Sequence, residues 1–255
     1  MVMMPILFVG HGSPMNAIED NEFSQAWTTA GKSLPRPESI LCISAHWETE
    51  GTQVTAMEKP RTIYDFYGFP PELYAVTYPA PGSPKLAERV QELVRPLPLG
   101  LDKAWGLDHG AWSVLTRLFP KADVPVVQLS LDIKKSPREH YELAGALKKL
   151  REENVLIVCS GNIVHNLRMV EWSDTAYDWA SEFDAKVRQL ILDDVHLPLI
   201  RYHDAGREAA LAINSAEHYK PLLYALGAKE PGEQVQFFAE KVTMGSLSMR
   251  SLRIG

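Results

Sequence analysis

Ile6-Leu7-Phe8-Val9, followed at once by Gly10-His11-Gly12-Ser13-Pro14, is the stretch on which the fold turns. Four apolar residues with branched or aromatic bulk and no polar residue among them read as a strand buried on both faces. The glycines beside the histidine let the backbone turn where a side chain would clash. The strand therefore ends by presenting the His11 imidazole. A second run of the same kind, Ser39-Ile40-Leu41-Cys42-Ile43-Ser44-Ala45, ends in His46-Trp47. Doubly buried strands belong to parallel sheets, whose ligands bind beyond the carboxyl ends of the strands. His11 and His46 are thus candidates for one site.

The chain around these runs alternates strands and helices. Between them, Glu19–Leu34 carries Phe23, Ala26, Trp27 and Ala30 at amphipathic-helix spacing, closed by Pro35 and Pro37. This makes a strand–helix–strand unit, in its simplest form parallel and right-handed. Gln53–Met57 reads as a further short strand. Ser83-Pro84 and Ser136-Pro137 are capped helix starts. Ala111–Leu118 and Tyr177–Val195 have helical spacing, and Glu217–Leu226 is helical after Pro221, with Gly227 as its stop. Val124–Leu131 and Val155–Cys159 read as strands, the second followed by Ser160-Gly161-Asn162 and, three residues on, His165. Val235–Val242 and Ser246–Ile254 read as terminal strands joined near Met244-Gly245. Residues 60–84 interleave six prolines with six aromatics, which forbids a long helix or central strand and argues against disorder. They read as a packed loop over the sheet end, either simply buried there or serving as a lid or substrate wall. No repeat or linker divides the chain. The expectation is one α/β domain over residues 1–255, with a mostly parallel or mixed central sheet flanked by helices on both faces.

Bulk properties narrow the function. With 255 residues and a net charge of −6, a nucleic-acid surface is not expected of the chain as a whole, a local basic patch aside. No apolar run approaches the ~18 residues that span a bilayer, and Met1-Val2-Met3-Met4-Pro5 lacks the basic lead of an export signal. Cys42 and Cys159 both fall inside buried-type strands, which with the missing export signal suits a reducing cytoplasm. None of the eight histidines forms a compact ligand motif, and no paired Cys-x-x-Cys or Gly-x-Ser-x-Gly is present. Position says more than spacing. His11 and His46 end strands, His165 closely follows one, His109 sits between Asp108 and Gly110 before a helix, and His218 opens a late helix. Several imidazoles near strand ends point to a metal site, histidine being the commonest metal ligand. His140, His196 and His203 lie in polar company and suit surface or structural roles.

The chain resembles the class III extradiol ring-cleaving dioxygenases, and within them the 4,5-DOPA extradiol dioxygenase group. Six segments carry the resemblance: Gly10-His11-Gly12-Ser13-Pro14, Ser44-Ala45-His46-Trp47, Gly106-Leu107-Asp108-His109-Gly110, Ser160-Gly161-Asn162-Ile163-Val164-His165-Asn166-Leu167, Glu217-His218-Tyr219 and Met244-Gly245-Ser246-Leu247-Ser248-Met249. It implies a metal held by His11, His46 and a third ligand late in the chain. The protocatechuate branch uses a glutamate there and the DOPA-type branch a histidine. Glu217 and His218 are neighbours, and the DOPA-type pattern selects His218. His165 is implied as the acid–base residue, or as a fourth ligand when Zn(II) fills the site. His109 is implied as a substrate contact, oriented by Asp108.

The implied reaction inserts O2 into a small catechol at Fe(II), opening the ring outside its two hydroxyls. Facial-triad iron leaves positions for both partners, whereas four nitrogens close a zinc tetrahedron. Arg61, Lys103 and Arg168 are candidates for a polar substrate tail. Two other classes share the residues. One is a zinc-dependent hydrolase with His165 or Glu217 as base. The other is a non-enzymatic metal-binding signalling or adaptor member of the same fold.

Overall fold

The computed structural model describes residues 3–255; Met1 and Val2, part of the segment read as lacking an export signal, lie outside the described residues. Ten strands form: β1 Ile6–Gly10, β2 Ser39–Thr49, β3 Thr52–Thr55, β4 Leu99–Asp102, β5 Val126–Asp132, β6 Val155–Gly161, β7 Val235–Phe238, β8 Val242–Thr243, β9 Leu247–Ser248 and β10 Ser251–Ile254. The helices are α1 Glu22–Ser33, α2 Pro71–Tyr74, α3 Pro84–Leu93, α4 His109–Leu118, α5 Pro137–Leu147, α6 Asp178–Leu192, α7 Leu197–Ile200, α8 Arg207–Ala212 and α9 Lys220–Gly227. Eight strands make one mixed sheet in the order β4-β3-β5-β2-β6-β1-β10-β7, and β8 and β9 form a small separate ladder.

The four central strands, β5, β2, β6 and β1, are parallel, and antiparallel neighbours flank them. Alternation along each central strand feeds two cores. Ile6, Phe8, Leu41 and Ile43 face a core with α5, α6 and α9, while Leu7, Val9, Ile40 and Cys42 face another with α1, α4 and the aromatic loop. The expected α/β sheet covered on both faces is therefore present. The unit from β1 to β2 is parallel, with β6 inserted between its strands. The insertion matters for the site. Val9, Ser160 and Ser44 stand abreast on β1, β6 and β2, so everything just beyond them gathers at one sheet end.

Several boundaries differ from expectation for local reasons. Helix α1 starts at Glu22 because the Asn21 side chain caps it, accepting from the backbone N–H groups of Phe23 and Ser24. The terminal strands are interrupted: Ala239, Met244 and Gly245 take positive φ and fold β8 and β9 into a separate turn before β10 rejoins the sheet. Strand β4, which pairs with β3, has no expectation behind it; Gly100 in its middle weakens its strand signal. The 60–84 segment is indeed packed. Tyr64, Phe66, Phe69 and Tyr74 contact one another, and Tyr64 and Phe66 contact Trp112 of α4. No helix among the described residues is long and apolar enough to cross a membrane.

Candidate functional site

The carboxyl end of β6 organises the site. Ser160 donates its hydroxyl to the Gly110 carbonyl at 2.6 Å, and its oxygen lies 3.0 Å from His11 Nδ1. A hydroxyl has one proton, and here a carbonyl takes it. Ser160 must therefore accept from His11 Nδ1–H, which leaves His11 Nε2 with a bare lone pair. One residue on, Gly161 has no room for a side chain: a Cβ there would stand 2.2 Å from the His218 carbonyl oxygen. That carbonyl accepts the Asn162 N–H at 2.8 Å, which fixes the turn carrying His218 ahead of α9. Gly12 adopts φ +55°, the left-handed turn expected after the first strand.

His11, His46 and His218 converge. Their ring centroids lie 5.0 to 5.2 Å apart, and one nitrogen from each falls within 4.8 Å of the others. His11 Nε2 is 3.1 Å from His46 Nε2. Two ligands ~2.1 Å from a shared ion stand about 3 Å apart near a right angle. His218 Nδ1 contacts Glu217 Oε1 at 3.1 Å, while its Nε2 is buried without a partner. His218 rather than Glu217 thus joins the trio, and Glu217 touches its other nitrogen. Burial, reinforced by neighbouring imidazoles, holds all three well below the ordinary imidazole range. They are neutral, as metal ligands must be. A bare Nε2, an orphaned Nε2 and neutral rings fit a divalent cation.

The other two predicted residues lie beside the trio. His165 stacks on His218, ring centroids 3.4 Å apart and 6° from coplanar, and burial pushes it down to about 4. Its backbone N–H bonds the Ala212 carbonyl, and it bridges to Leu247 of β9. His109 opens α4 with its ring centroid 3.8 Å from that of His46.

A family model described as the catalytic LigB subunit of aromatic ring-opening dioxygenase matches residues 5–250. The chain belongs to the LigB family. A 4,5-DOPA dioxygenase extradiol of Escherichia coli (strain K12) is 49% identical over 261 residues, spanning 99% of this chain and 95% of the relative. One from Beta vulgaris is 37% identical over 96% of this chain and 94% of the relative. A crystal structure of an uncharacterized protein from Escherichia coli K12 matches with a TM-score of 0.86 at 46% identity, covering 99% of this chain and 100% of that one. Of the three classes open from the residues, the family singles out the extradiol ring-opening dioxygenase.

Two expectations about this LigB protein need correction. Asp108 does not orient the His109 ring. Its carboxylate caps α4 through Ala111 N–H and is bonded by Ser44 Oγ at 2.6 Å and Gln128 Nε2 at 2.7 Å. The residue against His109 is Asp65, from the aromatic loop, which the sequence reading missed. Nothing in a proline-interrupted loop sets a register that would reveal which acidic residue faces inward. His218, for its part, lies in the turn before α9 rather than on the helix. Arg61, Lys103 and Arg168 are all exposed, and Arg61 Nε donates to the Trp105 carbonyl at 3.1 Å. His140 is fully buried with Nδ1 3.0 Å from the Tyr224 hydroxyl, and His196 contacts Tyr141, both structural roles.

Proposed function

We propose that this chain opens the ring of a small catechol, DOPA-like or closely related, inserting O2 outside the two hydroxyls to give a semialdehyde. The observation that carries the proposal is the convergence of three buried imidazoles in a chain of this family, His11 and His46 facing each other through Nε2 and His218 Nε2 buried without a partner. The names of its relatives from Escherichia coli and Beta vulgaris support the catechol class. The proposed ligands are His11, His46 and His218. Fe(II) held there would supply the Lewis acidity and redox chemistry that bring a catechol and O2 together. Zn(II) suits the same imidazoles, with His165 as fourth nitrogen, but is redox-silent and would leave the protein inactive.

The chain's own residues then handle protons. A catechol hydroxyl is an acid of pKa about 10 in water. His165 is neutral above about 4 and has a lone pair to take that proton and return it later. His109, its ring 3.8 Å from that of His46, is the proposed contact for a substrate hydroxyl. The proposal covers residues 1–255 as one catalytic domain, with a catechol and O2 as partners and no nucleic acid. A reducing cytoplasm is the proposed setting, supported by two free, buried thiols.

The test is anaerobic loading with Fe(II), addition of a catechol panel, then admission of oxygen. Oxygen uptake matched by a yellow semialdehyde is expected with Fe(II) and not with Zn(II). Amide or ester turnover without O2, or equal oxygen uptake with both metals, would overturn the proposal. His165→Ala should keep its metal and lose roughly 10²- to 10⁴-fold in turnover.

A further inference from the structure

Asp65 lies in the loop between β3 and α2, and the proton steps above do not use it. Its carboxylate nevertheless reaches two of the site's imidazoles. Oδ1 accepts the His109 backbone N–H at 2.9 Å. Oδ2 lies 3.0 Å from His109 Nδ1, oblique to the ring N–H, and 3.6 Å from His46 Nδ1. The Asp65 side chain is only 17% exposed. Phe66, the next residue, meets the His109 ring edge-on at 5.5 Å.

An imidazole beside a carboxylate keeps its proton on the nitrogen that faces it, so the other nitrogen becomes an acceptor. Oblique hydrogen bonds of this kind commonly straighten when substrate binds. We infer that Asp65 is a positioning residue for ring opening: it keeps His109 Nδ1 protonated, presents His109 Nε2 as the acceptor for a catechol hydroxyl, and ties the aromatic loop to the site. The inference rests on the proposed catechol chemistry. His46, Asp65 and His109 also lie close enough together to hold a cation. The carboxylate already accepts the His109 backbone N–H and lies against the ring Nδ1, so no second ion is required to explain its place.

The experiment is a double-mutant cycle on the metal-loaded protein with Asp65→Ala, His109→Ala and the pair. Three quantities are read: metal content, anaerobic binding of 4-nitrocatechol through the visible band that reports its ionisation, and kcat against KM for ring opening. Metal content should stay at its wild-type value throughout. Each single variant should weaken nitrocatechol binding or lower kcat by about tenfold or more. The pair should be no worse than His109→Ala alone, because Asp65 acts through His109. Asp65→Asn, which keeps an oxygen acceptor, should recover part of the loss, and it carries the cycle if the alanine variant does not fold. Losses that multiply in the pair, or metal lost with Asp65, would overturn the inference while leaving the ring-opening reading intact. A wild type that neither binds nor opens any catechol would defeat the ring-opening reading, and this inference with it.

Discussion

A single hydroxyl, that of Ser160, determines which nitrogen of His11 faces the cluster. Ser160→Ala should therefore lower metal affinity by about 10- to 100-fold, as losing the partner of a ligating imidazole does. Competition with a chromophoric chelator measures this, and an unchanged affinity would mean that the tautomer is set elsewhere. Glu217 and His218 separate in the same assay. His218→Ala should abolish tight binding, whereas Glu217→Gln, which touches only the outer nitrogen, should weaken it by about tenfold. His11 and His46 were legible because each follows a doubly buried apolar run, although β2 continues past His46 to Thr49. Asp65 was not, because its place depends on how a long loop packs. His140 takes the structural of the two roles its polar neighbours left open, since helical spacing turns its ring inward to Tyr224.

At the scale of elements, the contact between the end of β6 and the turn before α9 holds the third imidazole in place. Gly161→Ala would drive a methyl into the His218 carbonyl, with Pro221 close behind at 3.1 Å. Backbone cannot yield as a side-chain tip does, so a loss of about 1–3 kcal/mol in unfolding free energy is expected, with weaker metal binding besides. Urea titration and the chelator assay read the two effects, and a variant with wild-type values in both would show that the turn can relax. The helices were the most legible elements, since Ser-Pro starts and apolar spacing are local signals. The terminal strands were the least. Their breaks come from positive φ at Ala239 and Met244, residues with no intrinsic preference for it.

For the molecule as a whole, the sheet's two-sided burial was legible but its strand order was not. Which strand inserts between β1 and β2 depends on contacts just over 150 residues apart, as the pairing of Phe8 with Cys159 shows. The whole molecule also titrates. Burial pushes His140 and His165 down to about 4, while an unfolded imidazole sits near 6.5. Below about 6.5 the unfolded chain takes up protons that the folded chain refuses, so stability is full above that pH and drains as pH falls toward about 4. Each such histidine contributes up to about 1.4 kcal/mol per pH unit in that window. Urea midpoints should fall from pH 7.5 to pH 5, and His140→Gln should flatten the slope. An unaltered slope would show that His140 is protonated in the fold.

The three imidazoles belong to residues 11, 46 and 218, so a fragment lacking either end of the chain has no trio. A cation captured there recognises only the finished fold. By mass action, each tenfold excess of free cation over its Kd adds about 1.4 kcal/mol of resistance to unfolding. The melting temperature should therefore climb with the concentration of divalent ion and fall back when a chelator is added, making heat a direct gauge of assembly.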